Sequence, residues 1–166
     1  MLEEPFGVHT VRVTTAEQMY KAALRLAAQS QIIIAAAAVS DWRPQRFYEQ
    51  KQKKSGRRMK IALERTPDIL LALGRRKRDT FLVGFAAETH NFVKHARQKL
   101  RAKHLDAIAI NDVSAGGGFG LRDSALMLLW GTNASLDLGS GPKSVLAARL
   151  LDAVERLRKE RDAAGD

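Results

Sequence analysis

The sequence predicts an α/β fold in which one sheet carries helices on both of its faces. Strand-like and helix-like segments alternate along the 166 residues, which is typical of layered α/β proteins. The segment 32–38 is apolar throughout, as expected for a central strand that is covered on both sides. This length suits one core, so we expect residues 1–166 to form a single domain.

The first part of the chain is expected to contain two strands, a helix and a long flap. Residues 8–13 alternate apolar and polar side chains, which predicts a strand, and Thr14-Thr15-Ala16-Glu17 predicts a capped helix start. After the strand at 32–38, residues 42–58 are polar and rich in lysine and glutamine. We expect a long mobile flap there, with a returning strand at 59–63.

The rest of the chain continues the alternation. Thr66-Pro67-Asp68 predicts a helix start, with Thr66 as the N-cap and Pro67 at the first helical position. The apolar pattern then predicts the following elements: strands at 81–86 and 107–110 around a helix at 90–103, a strand at 125–130 that returns to residue 138, and a packing helix at 143–161.

Composition and charge limit the classes of function. The 28 Lys and Arg residues against 18 Asp and Glu give a net charge of +10, which favours polyanionic partners, nucleic acids or phosphorylated small molecules; a merely solvated surface is the alternative. Without cysteine there is neither a disulfide nor a thiolate metal site. The acidic N-terminal residues lack the layout of a signal peptide, so we expect a cytoplasmic protein without membrane contact.

Three predicted strands end in small or polar residues, which indicates a ligand site. Ala35, Ala36 and Ala37 precede Asp41, Phe85 lies near the end of the strand at 81–86, and Asn111 ends the strand at 107–110. Ligands of open α/β sheets bind outside the carboxyl ends of the strands, where small residues allow close approach. The alternative is that the alanines only let a helix pack closely.

Lysines and a helix start supply candidate anion-binding groups. Lys51 lies in the flap, from which it could reach a polyphosphate. Lys99 and Lys103 are four residues apart, so they share one side of a helix and could hold a triphosphate; a solvent-facing pair is the alternative. The segment "TPDIL" places free backbone N–H groups at a helix start. The histidines lack metal-ligand spacing, and neither an activated nucleophile nor a glycine-rich phosphate-loop fingerprint is present.

The order of the motifs resembles a known family. "AAAVSDWRP", "KQKK", "TPDIL", "VGFAAET", "ARQKLRAKHLDAIAIND" and "GFG" together resemble the bacterial phosphopantothenoylcysteine synthetase domain, over residues 8–155. The resemblance implies a three-layer Rossmann-like sheet with helices on both faces. It also implies a CTP-dependent ligase of coenzyme A biosynthesis, which joins 4'-phosphopantothenate to cysteine through an acyl-cytidylate. Mg²⁺ is then expected with the nucleotide phosphates, not in an all-protein site.

The resemblance assigns roles to residues of this chain. Lys51 would close over the triphosphate and stabilise attack on the α-phosphate, and Asn111 would lie close to the acyl substrate. The nucleotide would contact the following residues: Ala35, Ala36, Ala37, Asp41, Lys51, Pro67, Asp68, Ile69, Leu70, Phe85, Lys99 and Lys103. The family further implies a homodimer, and either a decarboxylase domain or a separate N-terminal segment as a partner.

The chain departs from the family pattern at its start. The family's first strand, Gly-Gly-Thr turn and Ser-Asn segment have no counterpart in residues 1–166, so we expect an N-terminally truncated sheet that exposes apolar surface or pairs with another chain. After "GFG" the chain has Arg122-Asp123-Ser124, where the family has Asp and Asn. Three functions stay open: the ligase, a nucleotide-binding domain that cannot complete acyl transfer, and a basic nucleic-acid-binding module.

Overall fold

The structure, a computed structural model, describes residues 4–46, 50, 60–88, 92–112 and 123–164. These residues form four helices: α1 (Ala16–Ala27), α2 (Ile69–Arg76), α3 (Phe92–Ala102) and α4 (Lys143–Ala164). They also form seven strands: β1 (Ile32–Ala35), β2 (Trp42–Pro44), β3 (Leu63–Arg65), β4 (Phe81–Glu88), β5 (Ala107–Asp112), β6 (Asp123–Trp130) and β7 (Ala134–Pro142). None of the helices described is long and apolar enough to cross a membrane.

A five-stranded sheet in the order β1-β4-β5-β6-β7 organises the fold. Strands β1, β4 and β5 are parallel, whereas β6 and β7 continue antiparallel. One face packs against α4, through a core that includes Val83, Leu128 and Val154. The other face packs against α2 and α3, through a core that includes Leu82 and Ile108. The predicted α/β fold with helices on both faces of the sheet is therefore confirmed.

The N-terminal part of the predicted sheet differs from the expectation. Residues 8–13 form no strand, although their side chains alternate. The expected central strand at 32–38 is four residues long, and it lies at the edge of the sheet with half-buried side chains. An alternating segment becomes a strand only when another strand accepts its hydrogen bonds, and no described strand pairs with residues 8–13.

Two further boundaries were predicted wrongly. The strand that returns from the flap is β3, which pairs antiparallel with β2 and lies a few residues later than expected. Helix α2 begins at Ile69 with Asp68 as its N-cap, not Thr66, because the Asp68 carboxylate accepts the Leu71 N–H. Thr66 lies three residues before the helix begins, and its hydroxyl donates to the Ser40 carbonyl.

The C-terminal half follows the sequence pattern closely. The strands β4, β5 and β6 contain the predicted apolar segments, and α4 buries Leu146, Leu150, Val154 and Leu157 against the sheet. Leu151 is instead 54% exposed, although it is as apolar as Leu150. Its neighbour Leu150 faces the core, and adjacent helical residues point about 100° apart.

Arg97 connects α3 to the turn between β6 and β7. Its guanidinium donates to the carbonyls of Thr132 and Ala134 at 2.8 and 3.2 Å. We expect Arg97→Ala to lower the free energy of unfolding by about 1–2 kcal/mol, because hydrogen bonds from a charged donor are lost. Urea unfolding measures this. Arg101→Ala on the same helix, where the side chain is exposed, should change it by less than about 0.5 kcal/mol.

Candidate active site

The carboxyl ends of β1, β4 and β5 lie next to one another at one edge of the sheet. Ala35 pairs in register with Gly84, and Ala87 pairs with Asn111. This is the arrangement predicted from the small and polar residues that end these strands. Ala36 and Ala37 follow β1 with exposed side chains, so no described helix covers them. Close helix packing, the alternative explanation for these two alanines, is therefore not what the structure shows.

The connection from β1 to β2 is tied to the segment before α2. The Thr66 N–H donates to the Asp41 carbonyl at 3.0 Å, and the Thr66 hydroxyl donates to the Ser40 carbonyl. The backbone of Asp41 therefore lies beside Pro67, while its side chain is exposed. Two segments that the sequence assigned to one nucleotide site are brought together by these hydrogen bonds.

The first turn of α2 lies over the carboxyl half of β4. Ile69 and Leu70 are half-buried and pack against the core beneath α2 and α3. A methyl group built on Gly84 would lie 3.1 Å from Leu70 Cδ2, so the absence of a side chain at Gly84 allows this close contact. The N-terminus of α2, with its free N–H groups, is thereby placed at the edge where the strands end.

Lys99 and Lys103 of the α3 region point toward this helix N-terminus. The Lys103 ammonium lies 3.1 Å from Asp68 Oδ1 and 3.0 Å from Oδ2. The Lys99 ammonium donates to the Phe85 carbonyl at 3.2 Å. The predicted sharing of one helix side is thus met, and the solvent-facing alternative is not, since both side chains have partners within the site.

The pKa of the Asp68 carboxylate, at the N-terminus of α2, is shifted by its surroundings. Partial burial by itself raises the pKa of Asp68. The Leu71 N–H, the Lys103 ammonium and the charge of Lys99 outweigh that effect and hold the pKa below its ordinary value of 3.8. A carboxylate with a lowered pKa stabilises the folded protein above its unfolded pKa, and this stabilisation is lost as the pH falls through the folded pKa.

Acidification should therefore destabilise the wild type more than Asp68→Asn. The difference is expected below about pH 4 and should not exceed about 1 kcal/mol, because Asp68 is partly exposed to solvent. Thermal unfolding followed between neutral pH and about pH 3 measures it, since asparagine caps a helix as well as aspartate does. Parallel pH profiles for the two proteins would contradict a stabilising role for the ionised Asp68.

Phe85 and Asn111 differ from the other candidates. The side chain of Phe85 packs on the face of the sheet that α4 covers, opposite α2 and α3. The Phe85 ring and the Leu70 side chain therefore lie on opposite faces of the sheet, and it is the Phe85 carbonyl that accepts from Lys99. Asn111 alternates onto the same face as Phe85. Its buried Oδ1 has no hydrogen-bond partner among the described residues.

Some predicted parts of the site lie outside the described residues. These are Lys51, most of the flap, and the "GFG" segment. Among the grooves in the described part of the chain, two are large. One, of about 1290 Å³, adjoins the site at Ser40 and Thr66, and Arg43, Arg46 and Lys60 contribute cationic side chains to it. The other, of about 1210 Å³, lies at the opposite edge of the sheet and includes Asp79 and Asp106.

One residue that holds the site together was not recognised in the sequence. Gly74 of α2 lies directly against the backbone of Lys103, because a methyl group built on it would lie 1.9 Å from the Lys103 carbonyl oxygen. The close approach of α2 to the end of α3 places Lys103 within reach of Asp68. The signal available in the sequence was a glycine inside the predicted helix "ILLALGRR", which is unfavourable unless packing requires it.

Known proteins resemble this chain over nearly its whole length. It is 42% identical over 160 residues to the "Coenzyme A biosynthesis bifunctional protein CoaBC" of Haemophilus influenzae, an alignment that covers 95% of this chain and 40% of that protein. The protein of the same name from Bacillus subtilis is 37% identical over 161 residues, with 96% and 40% covered. The chain thus spans about 40% of the length of these curated relatives.

Solved structures agree with the fold. The crystal structure of the C-terminal domain of Coenzyme A biosynthesis bifunctional protein CoaBC matches with a TM-score of 0.76 and 31% identity, covering 96% of this chain and 72% of that chain. The DNA/pantothenate metabolism flavoprotein from Streptococcus pneumoniae matches with a TM-score of 0.74, but at 17% identity it supports the fold alone. A family model, described as the DNA/pantothenate metabolism flavoprotein C-terminal domain, matches residues 1–157. The family resemblance seen in the motifs is confirmed, and this chain belongs to the family of DNA/pantothenate metabolism flavoprotein C-terminal domains.

Proposed function

We propose that this chain is a CTP-dependent ligase domain of coenzyme A biosynthesis, which joins 4'-phosphopantothenate to cysteine. The observation that carries the proposal is the meeting of Lys99, Lys103 and the N-terminus of α2 at the carboxyl ends of β1 and β4. Cations and free N–H groups at such an edge suit a nucleotide triphosphate. The identities of 42% and 37% to proteins named for coenzyme A biosynthesis support the pathway.

The chemistry proposed has two steps. A carboxylate oxygen of 4'-phosphopantothenate attacks the α-phosphorus of CTP, the bond to the β-phosphate breaks, and pyrophosphate leaves. The amine of cysteine then attacks the acyl carbon, CMP leaves, and the amine loses a proton. The first step needs positive charge and positioning more than a base, because the attacking carboxylate is already ionised.

We assign each group of site residues a role in these steps from its position. Lys99 and Lys103 would bind the phosphates, and the segment formed by Pro67, Asp68, Ile69 and Leu70 would present its backbone to the cytosine. Lys51 would stabilise the charge that develops on the α-phosphate. No group of three or more His, Cys, Asp or Glu side chains able to hold a metal lies in the described ranges, so Mg²⁺ would arrive bound to the CTP phosphates.

The proposed partners follow from the same family. We propose a homodimer, which apolar side chains on the β2–β3 ribbon and just before β3 support: Trp42, Ile61 and Leu63 are 49%, 61% and 54% exposed. A decarboxylase domain or a separate N-terminal segment is proposed as a further partner. The cytoplasmic location expected from the sequence stays a prediction.

A reconstitution assay tests the function. The chain receives CTP, Mg²⁺, 4'-phosphopantothenate and cysteine, and pyrophosphate and ligated product are measured separately. Both products are expected in equal amounts. Pyrophosphate without ligated product would show that only the first step occurs, and CTP binding with neither product would leave the nucleotide-binding domain as the function. ATP in place of CTP tests the choice of nucleotide.

A further inference from the structure

Both lysines of the candidate site are already engaged, but by different partners. Lys99 donates to a neutral backbone carbonyl, that of Phe85. Lys103 is paired with both oxygens of a carboxylate, that of Asp68. An incoming phosphate oxygen can replace a carbonyl as a lysine partner without leaving a charge behind. Replacing a carboxylate leaves that anion beside the phosphate, which repels it.

Asp68 also occupies the other anion-binding feature of this edge. Its Oδ1 accepts the Leu71 N–H at 3.0 Å, so the carboxylate sits on the N-terminus of α2. Negative charge at a helix N-terminus is favoured by the helix dipole. The same dipole would favour a phosphate there. One side chain therefore satisfies both the helix N-terminus and Lys103.

The backbone around this pair cannot shift to avoid the competition. The Lys103 carbonyl is packed against Gly74, and the following residue, His104, has a left-handed φ of 54°. The Lys103 N–H is bonded to the Lys99 carbonyl at 3.0 Å. Only the side chain of Lys103 is free to turn, and with 26% of that side chain exposed it can do so toward the solvent side, where a ligand would bind.

We propose that Asp68 is an internal competitor for the polyphosphate: its carboxylate holds Lys103 while the site is empty and weakens the retention of any polyphosphate that binds. The inference rests on the proposed function for the location of the phosphates. It goes beyond that function, because it makes Asp68 a residue that lowers the affinity of its own site. Release of pyrophosphate, a polyanion, is the step that such a carboxylate would assist.

The probe for this competition is inorganic triphosphate, titrated calorimetrically into the full chain. Asp68→Asn is expected to bind it roughly two- to fivefold more tightly than the wild type, the range set by a partly exposed ion pair. Asparagine still caps α2, so the fold should be retained. Asp79→Asn is the matched control: it makes the same change in net charge at the opposite edge of the sheet and should leave the affinity unchanged.

A double-mutant cycle shows whether the effect passes through Lys103. Asp68→Asn in a Lys103→Gln background should give no gain in affinity, because the lysine for which the two anions compete is missing. An Asp68→Asn affinity equal to or below that of the wild type would overturn the inference. A gain that persists without Lys103, or the absence of binding by every variant, would overturn it as well.

The proposed function can fail separately from this inference. If Asp68→Asn binds triphosphate more tightly but the reconstituted chain makes no ligated product, the ligase proposal fails and the competitor role of Asp68 stands. If ligation occurs and Asp68→Asn binds triphosphate more weakly, the ligase proposal stands and the competitor role fails. Titration with pyrophosphate, the expected first product, should reproduce the ranking found with triphosphate.

Discussion

Replacing Gly74 by alanine is expected to destabilise the domain by about 3 kcal/mol, which is a fall of about 10 °C in Tm for a chain of this size. The added methyl group would lie 1.9 Å from the Lys103 carbonyl oxygen and 3.0 Å from its carbonyl carbon. These are backbone atoms, so relief requires movement of α2 away from the end of α3. The gain of about 1 kcal/mol in helix propensity opposes this cost but is too small to offset it.

Gly84→Ala is the matched comparison for this prediction. Gly84 is also buried, and its added methyl group would lie 2.8 Å from Leu105 Cδ1 and 3.1 Å from Leu70 Cδ2. Those atoms are the ends of flexible side chains, which can rotate away. Gly84→Ala should therefore cost less than Gly74→Ala in urea or thermal unfolding. Equal costs, or a larger cost at Gly84, would contradict the inferred rigidity of the α2–α3 contact.

The steric clash at Gly74 has a consequence for the site as well. Since the carbonyl that the new methyl group displaces belongs to Lys103, the same substitution should move the Lys103 ammonium away from the N-terminus of α2, where the phosphates would bind. We therefore expect Gly74→Ala to weaken triphosphate binding even at a temperature where the protein is fully folded. If Gly74→Ala were less stable but bound triphosphate with unchanged affinity, the packing of Gly74 would not determine the position of the Lys103 ammonium.

The features that the sequence predicted best are those that depend only on neighbouring residues. The helix start at Thr15 needs only a side chain that accepts the Gln18 N–H, and the Gln18 side chain closes the capping box. The continuous apolar segments of β4 and β5 were predicted to be buried strands, as the structure shows, and the polar residue Asn111 marks the end of the second. Local signals of this kind were sufficient to place three strand ends at one edge of the sheet.

Features that depend on distant partners were not predictable in the same way. Thr66 and Asp68 are both good N-caps by residue type. The Asp68 carboxylate accepts the Leu71 N–H, whereas the Thr66 hydroxyl donates to the distant Ser40 carbonyl. The strand pattern showed that Phe81, Val83 and Phe85 share one face of β4. It did not show that α4, and not α2, covers that face. A sheet alternates its side chains, but the helix on each face is set by the chain's topology.

Lys103→Met is expected to lower kcat/KM for CTP by about 100-fold in the reconstituted ligase reaction. The substitution removes the ammonium that would bind the phosphates but keeps an unbranched side chain of similar length. Cationic groups that are already in position at a reacting phosphate stabilise the transition state without reorganising. Removal of one such donor typically lowers kcat by about two to three orders of magnitude. Steady-state kinetics with CTP varied at saturating 4'-phosphopantothenate and cysteine measures the effect.

Two comparisons separate this loss from a loss of fold or of general charge. The Lys103–Asp68 pair is partly exposed, so Lys103→Met should change the free energy of unfolding by no more than about 1 kcal/mol. Lys94→Met removes one positive charge from an exposed position of the same helix and should leave kcat/KM within about twofold of the wild type. If the two methionine variants behaved alike, Lys103 would contribute only to the surface charge of the domain. A loss confined to Lys103→Met, in a protein of unchanged stability, would place the phosphates at the end of α3, where Lys103 faces the N-terminus of α2.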